Sequence, residues 1–205
     1  YKPQSSSLGS GQVLCDPYDT EKAKLVVREM TDLLTLDLVD KGLVTDQIVL
    51  TVGYDRESLL NPEIAANYHG EVVLDHYGRK IPKHAHGSIG LERWMSSTRL
   101  ITDAVMTLYD RIVDKKLLVR RINLVANHIR LETCIPLTDN IQLNLFTDRE
   151  TEDEKERILR REKNQQKAVL DIRRRYGKNA ILKGMNYEEG ATTRARNGQI
   201  GGHKA

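Results

Sequence analysis

The sequence predicts an α+β fold in which two helices cover one face of a sheet and leave the other face polar and basic. Three observations predict it. Glu21 to Lys41 and Thr98 to about Asp114 carry apolar residues at helical spacing, and Gln47 to Tyr54 and Leu118 to Ile129 alternate with the two-residue period of strands. The last strand also carries Arg120, Arg121 and Asn123 among its apolar positions. A sheet with one apolar face needs a covering layer, whereas its polar face is free to lie against a negatively charged partner.

The elements follow in order. Ser5 to Cys15, small and polar before Val13, Leu14 and Cys15, reads as a strand or as a glycine-rich loop. As a strand it is short of side chains and lets another backbone approach; as a loop it offers amides and hydroxyls to phosphate oxygens. A flexible linker is the third reading. Asp16-Pro17-Tyr18-Asp19 turns the chain, and Asp19 or Thr20 caps the first helix. Val26, Met30, Leu33, Leu34 and Asp37 lie close to one face, Val27, Leu38 and Val39 widen the stripe, and Gly42 ends it. Ile48, Leu50, Val52 and Tyr54 then share one side of a half-buried strand. Asp55 to Tyr68, with Asn61-Pro62, is a polar loop or a short turn of helix, and Val72 to Leu74 begins another strand.

Asp75 to Ser88 is the most suggestive loop. Four of the six histidines fall between His69 and His86. Neither a helical histidine pair nor a cysteine partner completes a tetrahedral set, so no metal site is expected. Lys80, Lys83, His84 and His86 beside Gly87-Ser88 read better as phosphate contacts, with a solvated basic loop as the alternative. Ser96 or Ser97 caps the second helix, where Ile101, Ala104, Val105, Leu108 and Ile112 share a face. In the last strand strict alternation puts Leu118, Arg120, Ile122, Leu124 and Ala126 on one face and Val119, Arg121, Asn123, Val125 and Asn127 on the other. Arg120 then snorkels out from the start of the strand, and Arg121 and Asn123 point from the open face. Duplex DNA suits such a face, through phosphate contacts without base readout and with strong salt dependence.

The 205 residues suffice for one ordinary domain and a tail. A net charge of +3 does not itself argue for nucleic acid; the clustering at Arg120-Arg121, Arg160-Arg161 and Arg173-Arg174-Arg175 matters more. Cys15 and Cys134 are too few for a disulfide framework, which makes a reducing cytosol the default, and no apolar run approaches membrane-spanning length. The opening Tyr1-Lys2-Pro3 suggests a piece cut from a longer chain.

Beyond the last strand, Gln142-Leu143-Asn144-Leu145-Phe146 holds the sole phenylalanine. Its apolar side chains form an island between polar flanks, too short to make a core. It reads as a linear peptide that buries Leu145 and Phe146 in another protein's groove, each worth about 1.5–3 kcal/mol, while the Gln142 amide fixes the register. A last strand packed on the body is the alternative.

The pattern Gln-Leu-x-Leu-Phe closely resembles the peptide by which bacterial DNA polymerases and repair proteins attach to the sliding clamp. The order Ser-Leu-Gly strand, helix, alternating strand, basic His-Gly-Ser strand, helix and Val119-Arg120-Arg121-Ile122-Asn123 strand resembles the little finger domain of Y-family lesion-bypass polymerases. Tyr176 to Ala180 and Asn197 to Ala205 are similar to the C-termini of the UmuC-like branch of Firmicutes. The resemblance implies a four-stranded, mainly antiparallel sheet with two helices on one face over residues 1–132, a linker with the clamp peptide over 133–147, and a charged helix and flexible tail over 148–205. It implies DNA contacts by Ser7, Gly9, Ser10, Lys83, His86, Ser88, Arg120, Arg121 and Asn123, and clamp contacts by Gln142, Leu143, Leu145 and Phe146. It implies a part in translesion synthesis, DNA repair and the SOS response, in the cytoplasm at the nucleoid. No acidic palm constellation is present, so no catalytic residue and no cofactor is expected in this fragment; Mg2+ is implied for the full-length polymerase alone, and the chain by itself is expected not to transfer nucleotides. A non-enzymatic adaptor, binding nucleic acid and recruiting a protein partner through its tail, is the rival reading. Thr151 to Tyr176 is a helix candidate with a thin apolar stripe, either exposed or loosely packed, and most of the chain from Lys183 on is expected to be disordered.

Overall fold

The computed structural model describes residues 6–135, 149–200 and 203–204. Strand β1 (Leu8–Tyr18), helix α1 (Thr20–Asp40) and strand β2 (Leu43–Tyr54) follow with hardly a residue between them. Local caps make this possible. Asp19 accepts a hydrogen bond from Lys22 N at 2.8 Å, and Gly42, at φ 63°, takes the left-handed turn that ends α1 while its N–H reaches Val39 O at 3.1 Å. Two short helices, α2 (Glu57–Leu60) and α3 (Pro62–Asn67), fill the polar excursion. A hairpin of β3 (Val72–Leu74) and β4 (Lys80–Pro82) precedes β5 (Ala85–Met95), α4 (Thr98–Ile112), β6 (Val119–Asn127) and β7 (Arg130–Leu131). The Ser5 to Cys15 stretch is therefore a strand from Leu8 on, and Asp16-Pro17-Tyr18 closes that strand instead of turning away from it.

The main sheet runs β1-β6-β2-β5, antiparallel throughout. A fifth strand corrects the expected four: past His128, at φ 52°, the chain pairs again with β2 through Leu43↔Leu131 and Val44↔Arg130. Two residues are too few to show a period, so the sequence carried no sign of it. Helices α1 and α4 cover one face. Ile48, Leu50 and Val52 of β2 and Ile122, Leu124 and Ala126 of β6 are buried there with Val26, Val27 and Met30 of α1 and Ile101, Val105 and Leu108 of α4. Gly87 lets α4 come close: a Cβ on it would lie 3.0 Å from Ile112 Cγ2 and 3.1 Å from Leu108 Cδ1.

Strict alternation fails at one place in β6. Gly53 pairs with Arg121 and Tyr54 with Val119, so Arg120 is an extra residue in a β-bulge. The bulge puts Val119 into the core, fully buried, and leaves Leu118 outside the strand. The predicted facing of Val119 and Arg120 is corrected accordingly.

Helix α5 (Arg149–Tyr176) returns to the body and lies against α1 and the start of α4. Its grip is polar. The Glu162 carboxylate accepts from Ser97 Oγ at 2.6 Å and Arg99 N at 2.9 Å, and Gln166 Nε2 donates to Ser96 O and Thr98 Oγ1 at 3.0 and 2.8 Å. Glu162 thus adds to the Ser97 cap of α4. Ion pairs Lys163–Glu132 and Arg174–Asp40 flank this seam.

From Gly177 the chain runs back over α1 through a 3-10 turn, Gly184–Tyr187, and helix α6 (Thr193–Asn197); strands β8 (Gln199–Ile200) and β9 (His203–Lys204) pair beyond it. Glu29 of α1, only 1% exposed, is the anchor. Its carboxylate accepts from Asn186 Nδ2 at 2.7 Å, Thr192 N at 2.6 Å and Thr193 N at 3.2 Å. Lys183 Nζ pairs with the buried Asp32 at 2.6 Å. Residues 183–198 are therefore ordered against the body where disorder was expected, because buried charge on α1 supplies the partners that their composition lacks. The pentapeptide Gln142 to Phe146 lies outside the described residues.

Candidate nucleic-acid interface

The face of the sheet away from the helices is built from cross-strand rows. Reading from β1 to β5, one row is Gly11, Asn123, Thr51 and His86, and the next is Gly9, Val125, Val49 and Ser88. Val13, Arg121 and Gly53 form a third row beside them. Glycines thin this surface. At Gly53 a Cβ would stand 3.3 Å from Arg121 Cβ, so the bare backbone is what lets the arginine stem lie across β2. Thr51 Oγ1 and His86 Nδ1 are hydrogen-bonded at 2.8 Å, which fixes the imidazole against the sheet.

The two bulge arginines differ. Arg120 Nη1 donates to Cys15 O at 2.7 Å, and its Nε lies 3.6 Å from the Asp55 carboxylate. Arg121 is exposed, and its side chain has no hydrogen-bond or ion-pair partner among the described residues. Both line a cleft of about 870 Å3 between the open face and the β3–β4 hairpin, together with Asn123, Thr51, His84 and the hairpin residues His76, Tyr77 and Arg79.

The turn of that hairpin is firmly made. The Asp75 carboxylate accepts from Tyr77 N and Arg79 N, both at 2.9 Å, and from Arg79 Nε at 2.7 Å, while Gly78 adopts φ 74°. The Arg79 guanidinium holds the Asp75 carboxyl below its ordinary range and is itself raised by it. At the tip, the Tyr77 ring is 77% exposed, with the Arg79 guanidinium 4.9 Å from its centroid and His76 edge-on at 5.3 Å.

The structure brings Gly9, His86, Ser88, Arg121 and Asn123 onto one surface, with Arg120 at its rim. Ser7 lies just ahead of β1, exposed. Ser10 is not on this surface: it pairs with the buried Leu124, facing the helices, and its Oγ accepts from Arg196 Nη2 at 3.4 Å. Lys83 precedes β5 and is drawn to Glu71 at 2.6 Å, which raises its pKa. Sequence reasoning missed Arg56, Tyr77 and Arg79 as cleft residues. The Asp75-x-Tyr77-Gly78 turn between Val72-Val73-Leu74 and Ile81 was the available signal, a hairpin pattern read as loop. Among the described residues no group of three or more His, Cys, Asp or Glu is placed to hold a metal ion, and no helix is long and apolar enough to cross a membrane.

No protein-family model and no curated protein matches the chain. Among the solved structures similar to it are two at 12% identity and a TM-score of 0.37. One is a post-insertion binary complex of Dbh DNA polymerase, matched over 61% of this chain and 29% of that one. The other is a complex of the beta-clamp processivity factor and the little finger domain of PolIV, matched over 69% of this chain and all of that one. The match spans less than a third of the length of the Dbh polymerase.

Proposed function

We propose that this chain is the DNA-binding, little-finger-like domain and clamp tether of a Y-family lesion-bypass polymerase of the UmuC-like Firmicutes branch, acting in DNA damage tolerance. The observation that carries the reading is the open sheet face: rows thinned by glycine, with Asn123 in their middle, His86 and Ser88 on the edge strand, and in the last row Arg121, whose side chain has no partner among the described residues. Such a surface suits a sugar-phosphate backbone, which approaches closely where side chains are absent and is held by cations and small polar groups without base readout. Gly9, His86, Ser88, Arg121 and Asn123 form the contact set, with Arg120 beside them and Ser7 at the strand entrance. Residues 1–132 are the DNA-binding unit, 133–147 the tether, and 148–205 a tail.

The module works by position. It holds the duplex through its backbone and so tolerates distorted bases, while Gln142, Leu143, Leu145 and Phe146 raise the local concentration of the chain at a sliding clamp. Nucleotide transfer is assigned to other domains of a parent polymerase and not to this module.

The test is binding of the chain to fluorescent duplex DNA across a range of salt. Arg121→Ala is expected to weaken binding to every sequence alike and to lower the salt slope by about 1. An unchanged slope would return Arg121 to the solvated surface. Binding to a sliding clamp, in the micromolar range and lost on combining Gln142→Ala, Leu145→Ala and Phe146→Ala, separates the polymerase tether from a general adaptor.

A further inference from the structure

Resting on the reading that the open face binds DNA, we infer that the tip of the β3–β4 hairpin is a stacking platform for an unpaired nucleobase, so that the cleft takes a single-stranded extension next to the duplex.

Four observations meet here. Tyr77 is 77% exposed, so the fold gains little from its ring. The turn that displays it is nonetheless fixed by three hydrogen bonds to one carboxylate, that of Asp75, and by the left-handed Gly78. An aromatic ring held at a rigid tip loses little freedom on binding, the condition under which stacking contributes most. Arg79, 4.9 Å from the ring centroid, adds a cation beside the ring. Finally, the cleft beneath the tip joins this ring to Arg121, Arg120 and Asn123. At about 870 Å3 it falls in the range of roughly 300–1,000 Å3 typical of small-ligand sites, room enough for a nucleotide unit beneath the ring.

The chemistry that recognises the ligand is therefore a phosphate at Arg121 and a planar base face at Tyr77. Inside a duplex every base face is covered by its neighbours, apart from the outer faces of the two terminal pairs, so along the helix the platform engages only a base that has left the stack. Base–aromatic stacking is indifferent to which base it is. The site adds structure discrimination, duplex end against extended end, to a surface that reads no sequence.

The experiment uses the full chain and three fluorescent DNAs: a blunt duplex, the same duplex with a short 5′ single-stranded extension, and that extension with abasic residues next to the junction. The wild type is expected to prefer the extended duplex over the blunt one by about fivefold or more. Tyr77→Ala removes the preference and leaves blunt-duplex binding as it was, Tyr77→Trp retains it, and the abasic extension loses it. Equal preference in wild type and Tyr77→Ala overturns the inference and leaves Tyr77 an exposed side chain with no part in DNA binding. Dependence on Arg121 with none on Tyr77 sinks the stacking site alone, whereas no binding to any of the DNAs sinks the DNA-binding reading and this inference together.

Discussion

Helix α1 has two contrasting flanks. Toward the sheet it buries Val26, Val27, Met30 and Leu34, an apolar stripe that meets other apolar stripes. Toward the C-terminal segment it buries Glu29 and Asp32, two carboxylates whose partners are single named atoms. The first flank works with any well-shaped apolar neighbour. The second works only with Asn186, Lys183 and the amides of Thr192 and Thr193, because a buried carboxylate without donors is costly. The apolar flank builds the domain, and the polar one selects what docks on it.

Substitutions on each side sharpen that contrast. Met30→Ala, in the fully buried core, is expected to cost about 2–5 kcal/mol and to lower the melting temperature of the whole domain, as followed by circular dichroism. Glu29→Ala is expected to act locally. Residues 183–198 would lose their anchor, at about 1–3 kcal/mol, and hydrogen exchange would quicken there and not in β2 or β6. Equal acceleration in the sheet would erase the distinction between the flanks. Glu162→Ala, removing the second cap of α4, should cost about 1 kcal/mol and expose α5 to proteolysis before the sheet.

The smallest effect belongs to pH. The Arg79 hydrogen bond holds Asp75 below its ordinary 3.8, so the charged form is favoured in the folded hairpin. Its contribution is complete above about pH 4 and fades as pH falls through the lowered folded value. Ring resonances of Tyr77 are expected to shift in that acid window while those of the buried Tyr109 stay put. A Tyr77 signal that moves only near neutral pH would assign the turn to another group.

The same contrast explains what could be read from the chain. Asp19, Gly42 and Ser97 gave the helix ends, and alternation over Ile48, Leu50, Val52 and Tyr54 gave the central strand with its correct face, since caps and periods are local. Of the candidate interface, Arg121 and Asn123 were placed on the open face by the same alternation, whereas His86 and Ser88 fell in a stretch read as a loop. Arg120 and Val119 were placed on the wrong sides because a bulge depends on the pairing partner. Ser10 faces the helices because the register of β1 against β6 decides it, and Lys83 is turned aside by Glu71, twelve residues earlier. The α5 seam was illegible as a stripe because its contacts are Glu162 and Gln166, residues that a search for apolar periodicity passes over.

Glu29 has one more consequence, in time. Its partners follow it in the chain by 157 to 164 residues. At the usual pace of synthesis, about 5–20 residues per second, the carboxylate waits roughly ten to thirty seconds for them. During that interval the sheet, α1 and α4 can form while the outer side of α1 still faces water, ready for a chaperone or a rival partner. Residues 183–198 act as a seal that closes only once they have themselves been made.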